Sequence, residues 1–265
     1  MTLLKRITII FASVTIVSSA SFYFIGNSIV KQISSGEFNR GAGRSNGVQN
    51  IINGEVNKIS SKIFEFSNYI EINSKLNREL DIAVREDIAG LLESIETAPF
   101  INTVILLDEN MNIVKTLKDK KENLNSKGVK NLLLELKEMM NSIEYQKKGI
   151  IRGIVNTEEL PYIIGLKKIN IDKDKVGFIC IIEAIDNNYI KDLEIRTSRV
   201  LELVKVKGVE SIDDASYIKT QEYNREFYSI MSEDCISVFS NLPALNSENE
   251  FFLKLTDTRE VRENA

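Results

Sequence analysis

Two charged side chains interrupt apolar, strand-like runs. Arg152 falls in step with Ile150 and Ile154, and Glu183 with Ile179 and Ile181, the alternation that places side chains on one face of a strand. A charge on such a face must be paired, hydrated or presented to a ligand. Three readings follow: the two neutralise each other, they reach the rim, or they serve a pocket. In the last case Arg152 would grip a carboxylate through its two-pronged guanidinium, with Tyr162 closing one side. No complete amino-acid-binding signature accompanies them.

Composition removes most other chemistry. The chain has no histidine and no tryptophan. That excludes Ser-His-Asp and Cys-His catalysis, together with histidine-ligated zinc and haem. The remaining carboxylates, lysines and tyrosines form no convincing catalytic cluster, so neither an enzyme nor a cofactor is expected. Asp172, Asp174, Gly177 and Glu183 approach the spacing of a calcium loop, but Val176 breaks the pattern and Phe178 to Ile182 reads as strand. A charged hairpin turn is expected there, and no metal site. Asp108, Asn110 and Asn112 start in a similar way, with Ile113 where a glycine is needed, and read as a turn. A net charge of -4 with both signs interleaved does not make the basic face that nucleic acid requires. Cys180 sits inside an apolar run and reads as a small buried hydrophobe, while a bridge to Cys235 stays open.

The elements that must position these residues begin with an uncharged run, Ile7 to Gly26, preceded by Lys5 and Arg6. Its length matches the ~20 residues that span a bilayer. The flanking cations hold residues 1–6 in the cytoplasm, so the bulk of the chain is expected outside. Ser18 and Ala20 offer a signal-peptidase site, but the apolar run continues through Phe22, Tyr23, Phe24 and Ile25, which favours an uncleaved anchor at 7–26. Ser34 to Gly47 carries Gly41, Gly43 and Gly47 without the ending of a phosphate loop, and reads as a solvated juxtamembrane stretch.

A long helix follows, with Ile52, Val56, Ile59, Ile63, Phe66 and Ile70 at alternating spacings of four and three. That stripe is the seam of a dimer stalk, a face buried against the chain's own domain, or each of these along a different part of the helix. A second amphipathic piece carries Ile88, Leu91, Leu92 and Ile95. Beyond it, strands are predicted at Thr103 to Leu107, Asn112 to Leu117, Gly149 to Val155, Tyr162 to Ile169 and Val176 to Ile185, with a helix from Val129 to Tyr145 between the second and third. A last helix is predicted from Asn188 to Val206. Short strands at Ser216 to Glu222, Glu226 to Met231, Ile236 to Phe239 and Phe251 to Leu255 would form a second antiparallel unit or extend the first sheet. The fold class is α+β. Its expected parts are a juxtamembrane and stalk region at 27–100, a sensor-like core at 101–206 and a smaller β-rich extension at 207–265.

Three stretches carry a family resemblance: INTVILLDENMNIV (Ile101 to Val114), GIIRGIVNTEELPYIIGLKKI (Gly149 to Ile169) and VGFICIIEAIDNNYIKDL (Val176 to Leu193). They resemble the first hairpin, the central strands and the exit segment of extracytoplasmic PAS/Cache-like sensor domains, most nearly the fourth class of CHASE domains of bacterial membrane receptors. The resemblance implies a membrane-anchored, homodimeric input region that binds an unknown small ligand or partner protein outside the cytoplasm. It also implies a second anchor and a cytoplasmic output unit beyond residue 265. The competing expectation is an envelope interaction or scaffold protein with no small-molecule ligand.

Overall fold

The apolar stripe from Ile52 to Ile70 belongs to one helix, α1 (Leu3–Leu76), far longer than the stripe itself. At 1.5 Å per residue it runs for roughly 110 Å. This computed structural model describes residues 3–76, 93, 95–97, 101–119, 126–141, 145, 149–172, 175–206, 217–222, 225–232, 234–246 and 250–258. Of the second amphipathic piece, residues 77–92 and 94 lie outside the described residues.

Helix α1 does not pause at Ser34 to Gly47, which is helical and partly buried rather than a solvated stretch. The physical reason is tertiary. Phe38, Ala42, Ser45 and Gln49 are buried and continue the four-and-three spacing backwards from Ile52. Gly41 is a site of close approach, since a Cβ there would stand 2.7 Å from Val238 Cγ2. Among the described residues, no helix is long and apolar enough to cross a membrane. The side chains of residues 1–17, which include most of the expected anchor, lie outside that description.

Two antiparallel sheets sit along this helix. The first is built from β1 (Thr103–Asp108), β2 (Ile113–Asp119), β3 (Ile150–Asn156), β4 (Pro161–Asp172) and β5 (Lys175–Ala184), in the order β2-β1-β5-β4-β3. Between β2 and β3 comes α2 (Lys127–Met140), whose Ser126 cap accepts from the Val129 N–H. Its buried Val129, Leu132 and Leu136 pack on the face of the sheet that carries Ile164, Leu166 and Cys180. Antiparallel strands with a helix on each face are consistent with a PAS/Cache-like α+β fold.

The chain leaves β5 through α3 (Asn187–Thr197), and here the structure corrects the sequence expectation. The helix predicted to reach Val206 stops at Ser198, whose backbone turns left-handed at φ 53°. The Glu194 carboxylate then accepts from the Leu201 N–H at 2.8 Å. Val200–Val206 is a strand, β6, and it pairs with β10 (Glu250–Thr258). With β7 (Tyr217–Glu222), β8 (Arg225–Met231) and β9 (Cys235–Asn241) they form a second five-stranded sheet, β6-β10-β9-β8-β7. The C-terminal strands are therefore an independent sheet completed by a strand from the expected core.

The two sheets share a wiring pattern. In each, the first strand pairs with the last, and the chain meanders back from there: β1-β5-β4-β3 in one, β6-β10-β9-β8 in the other. The corresponding strands β4 and β9 are the ones that lie chiefly against α1. Beneath the helix runs one continuous core. It joins Ile59, Ile63 and Phe66 to Ile163, Ile179 and Ile181 of the first sheet and to Leu201, Phe251 and Leu253 of the second.

Candidate functional site

All six residues of the expected stalk seam face this shared core. Ile52, Ile59, Ile63 and Phe66 are buried in it, and Val56 and Ile70 pack against it from partly buried positions. At these six positions the structure shows packing against the chain's own sheets. Close approach is again made by a glycine. Gly165 on β4 leaves no room for a side chain, because its Cβ would stand 2.9 Å from Ile59 Cγ2.

Polar contacts key the helix into both sheets at intervals along this apolar seam. Against the second sheet, Ser45 Oγ donates to Ser240 Oγ at 2.8 Å, and Gln49 Nε2 donates to the Asn241 carbonyl at 2.8 Å. Against the first, Arg152 Nη1 donates to Ser60 Oγ at 2.9 Å, and Lys167 Nζ donates to Ser67 Oγ at 2.6 Å. Between the sheets, Glu55 accepts from the Tyr189 hydroxyl and from Arg196, both on α3. Burial, and then the Glu55 carboxylate, push the Tyr189 phenol far above the usual tyrosine range. The same residues tie α1 to the segment that carries the chain from one sheet to the other.

The three residues expected to serve a pocket are placed as follows. Arg152 on β3 and Glu183 on β5 share the face toward α1, as the register through β4 requires. They have separate partners: Arg152 bonds Ser60, while Glu183 is buried and accepts from Asn102 Nδ2 at 2.5 Å. Register sets Arg152 opposite Gly165, and Gly165 opposite Ile181, two residues short of Glu183. Two strand spacings and two residues of rise separate their Cα positions by roughly 12 Å. Tyr162 lies on the other face, in the core beneath α2, where a Cβ at Gly128 would collide with its hydroxyl. Its phenol is raised by burial and then by Glu159.

The Asp108 turn is formed as expected. Its Oδ1 accepts from the N–H groups of Asn110 and Asn112 at 2.9 and 2.8 Å. Hydrogen bonds from Asn112 hold that carboxyl below the usual range. Asp174, the centre of the other loop, lies outside the described residues. Cys180 is fully buried and Cys235 partly so, and both are free thiols. Burial pushes the Cys180 thiol upward.

Glu55, Tyr189 and Arg196 were not singled out from the sequence. Glu55 did leave a signal: it stands three residues after Ile52 and four before Ile59, so helical geometry puts an acid on the apolar stripe. Tyr189 and Arg196 gave none, since both read as ordinary members of an amphipathic helix.

No protein-family profile matches the chain, and no curated protein matches it significantly in sequence. Solved structures do resemble it. The periplasmic domain of LuxQ from Vibrio cholerae is 11% identical, with a TM-score of 0.46 over 82% of this chain and 98% of that one. A domain of a sensory box/GGDEF family protein from Vibrio parahaemolyticus is 12% identical, with a TM-score of 0.41 over 83% and 97%. The periplasmic sensory domain of the Campylobacter jejuni chemoreceptor Tlp1 is 10% identical, with a TM-score of 0.42 over 81% and 92%. At these scores the likenesses transfer no residue, ligand or site to this chain.

Proposed function

We propose that the chain is the extracytoplasmic ligand-sensing input region of a bacterial membrane receptor, anchored through residues 7–26. The observation that carries the proposal is the continuity of α1. One helix runs from the uncharged N-terminal segment, past exposed Phe22, Tyr23, Phe24 and Ile25, into a core shared by both sheets. Strand β10 then returns toward the same end. Asp257 pairs with Arg44 of α1 and, at 3.9 Å, with Arg199. A change in either sheet therefore bears on a helix that leads to the membrane side. Binding can bias two positions of that helix only by its differential affinity for them.

The apolar run at 7–26 with its two leading cations supports membrane attachment with the sheets outside. Placement near the fourth CHASE class is supported by the three sequence stretches alone. Arg152, Tyr162 and Glu183 would serve a ligand from separate places: Arg152 and Glu183 face the helix, and Tyr162 belongs to the opposite core.

Two measurements test the reading. A reporter enzyme active only outside the cytoplasm, fused after Thr258, is expected to be active in intact cells, and an inactive but stable fusion would contradict export. Thermal melting of the full chain in nanodiscs against a metabolite panel should show a reproducible rise. A ligand present at about 100 times its Kd adds roughly 2.7 kcal/mol. Export without stabilisation by any metabolite would favour the scaffold.

A further inference from the structure

At the end of the second sheet, where β8 begins and β9 ends, a cleft of about 290 Å³ opens between Gln49, Arg225, Glu226, Tyr228, Pro243 and Phe252, with Asn241 at its edge. The volume is at the small end of ligand cavities. Its lining takes in both sides of the sheet end: Gln49 and Arg225 from the side toward α1, Tyr228 and Phe252 from the opposite side. Tyr228 and Phe252 are buried and meet edge to face, with ring centroids 6.0 Å apart.

Arg225 is held in place by amide oxygens. Its Nη1 donates to Gln49 Oε1 at 2.5 Å and to Asn46 Oδ1 at 3.2 Å. Gln49 is itself fixed, 2% exposed, with its Nε2 on the Asn241 carbonyl. Among the described residues no carboxylate pairs with this guanidinium. Arg44 and Arg199, by contrast, both pair with Asp257. A half-buried guanidinium oriented by neutral amides, with no acid on it among the described residues, is arranged for an anion from solution, and its fork matches a carboxylate best. Glu226, also in the lining, accepts from the Tyr228 hydroxyl at 2.9 Å. A fixed negative charge there disfavours a second anionic group on the ligand.

We propose that this cleft binds a small monocarboxylate, its carboxylate on Arg225 and its apolar body against Tyr228, Phe252 and Pro243. The inference deepens the sensing proposal and rests on it. Asn46 and Gln49 both belong to α1, so a ligand on Arg225 acts on the helix through two hydrogen bonds. The site lies in the second sheet, away from Arg152, Tyr162 and Glu183.

The test uses the full chain in nanodiscs, with calorimetry and thermal melting against butyrate, benzoate and succinate. Butyrate or benzoate is expected to bind more tightly than succinate. Arg225→Gln should weaken that binding by at least about tenfold. Because Arg225→Gln also removes the Gln49 contact, Pro243→Trp serves as a second variant that fills the cleft and leaves those bonds intact. It should abolish binding with an unchanged melting temperature in the absence of ligand. Absence of binding by both monocarboxylates at about 10 mM, where even a millimolar Kd registers, would overturn the proposal. So would binding that survives both variants. Stabilisation by other metabolites that is lost in Arg152→Gln and kept in Arg225→Gln would sink this site while sparing the sensing function.

Discussion

At the residue scale, glycine does two different jobs in α1. Gly41 touches Val238, and its absent side chain permits the helix to lie on β9, whereas a Cβ at Gly54 meets nothing within 4 Å. Gly54→Ala should therefore stabilise the chain by about 0.5–1 kcal/mol through helix propensity alone. Gly41→Ala should destabilise it by about 1–2 kcal/mol once the same propensity gain is set against overpacking. Val238→Ala in the Gly41→Ala background should recover part of the loss. Denaturant midpoints measure all three, and equal behaviour of Gly41 and Gly54 would contradict the close approach. The Glu55–Tyr189–Arg196 contact makes a second prediction. The Tyr189 proton is held in the folded state at pH values where the unfolded chain releases it. Its contribution to stability is thus complete below the ordinary tyrosine range of about pH 10 and falls as pH rises beyond it. Tyr189→Phe should flatten that alkaline decline in urea midpoints, and an unchanged slope would show that the phenol is not buried beside Glu55.

At the scale of elements, most strands were legible and the long helix only half so. Near-continuous apolar runs marked β1, β4 and β5 because both faces of their sheet are covered. The stripe from Ile52 to Ile70 was equally plain. Its continuation through Phe38, Ala42, Ser45 and Gln49 was hidden because small and polar residues fill those positions, next to glycines that read as loop. Burial against the second sheet, which no local signal reports, makes that segment helical. The same limit explains the overrun of α3. Leu201 and Val204 fit a helical stripe as well as a strand, and what decides is a left-handed Ser198 and pairing with β10, some fifty residues on. The candidate site was legible only in part. Alternation placed Arg152 and Glu183 each on the apolar face of its own strand, but their shared face needs the sheet register, and Arg225 beside Gln49 requires the tertiary fold. Ser198→Gly should stabilise the chain by about 0.5–1 kcal/mol, since glycine adopts the left-handed cap without strain. A loss in thermal melting would mean that this turn is not the end of the helix.

At the scale of the whole molecule, the two sheets are joined in three ways. They share the core under α1, they are linked by α3 and β6, and they touch where the segment after β9 meets the edge of β3. There the Leu245 N–H donates to the Ile154 carbonyl at 2.7 Å, and Asn246 Nδ2 donates to the Asn156 carbonyl at 2.7 Å. Leu245 also fills the space beside Gly153, whose φ of +147° and lack of a Cβ allow the contact. A structure so joined should respond as a unit, with α1 as its common member. Hydrogen exchange along α1 in the full chain, in nanodiscs with and without a metabolite that raises its melting temperature, is the direct test. The expected result is a concerted gain of amide protection across residues 38–70, spanning the segments against both sheets. Protection confined to the strands of one sheet, with the exchange of α1 unchanged, would contradict a sensor that signals through this helix.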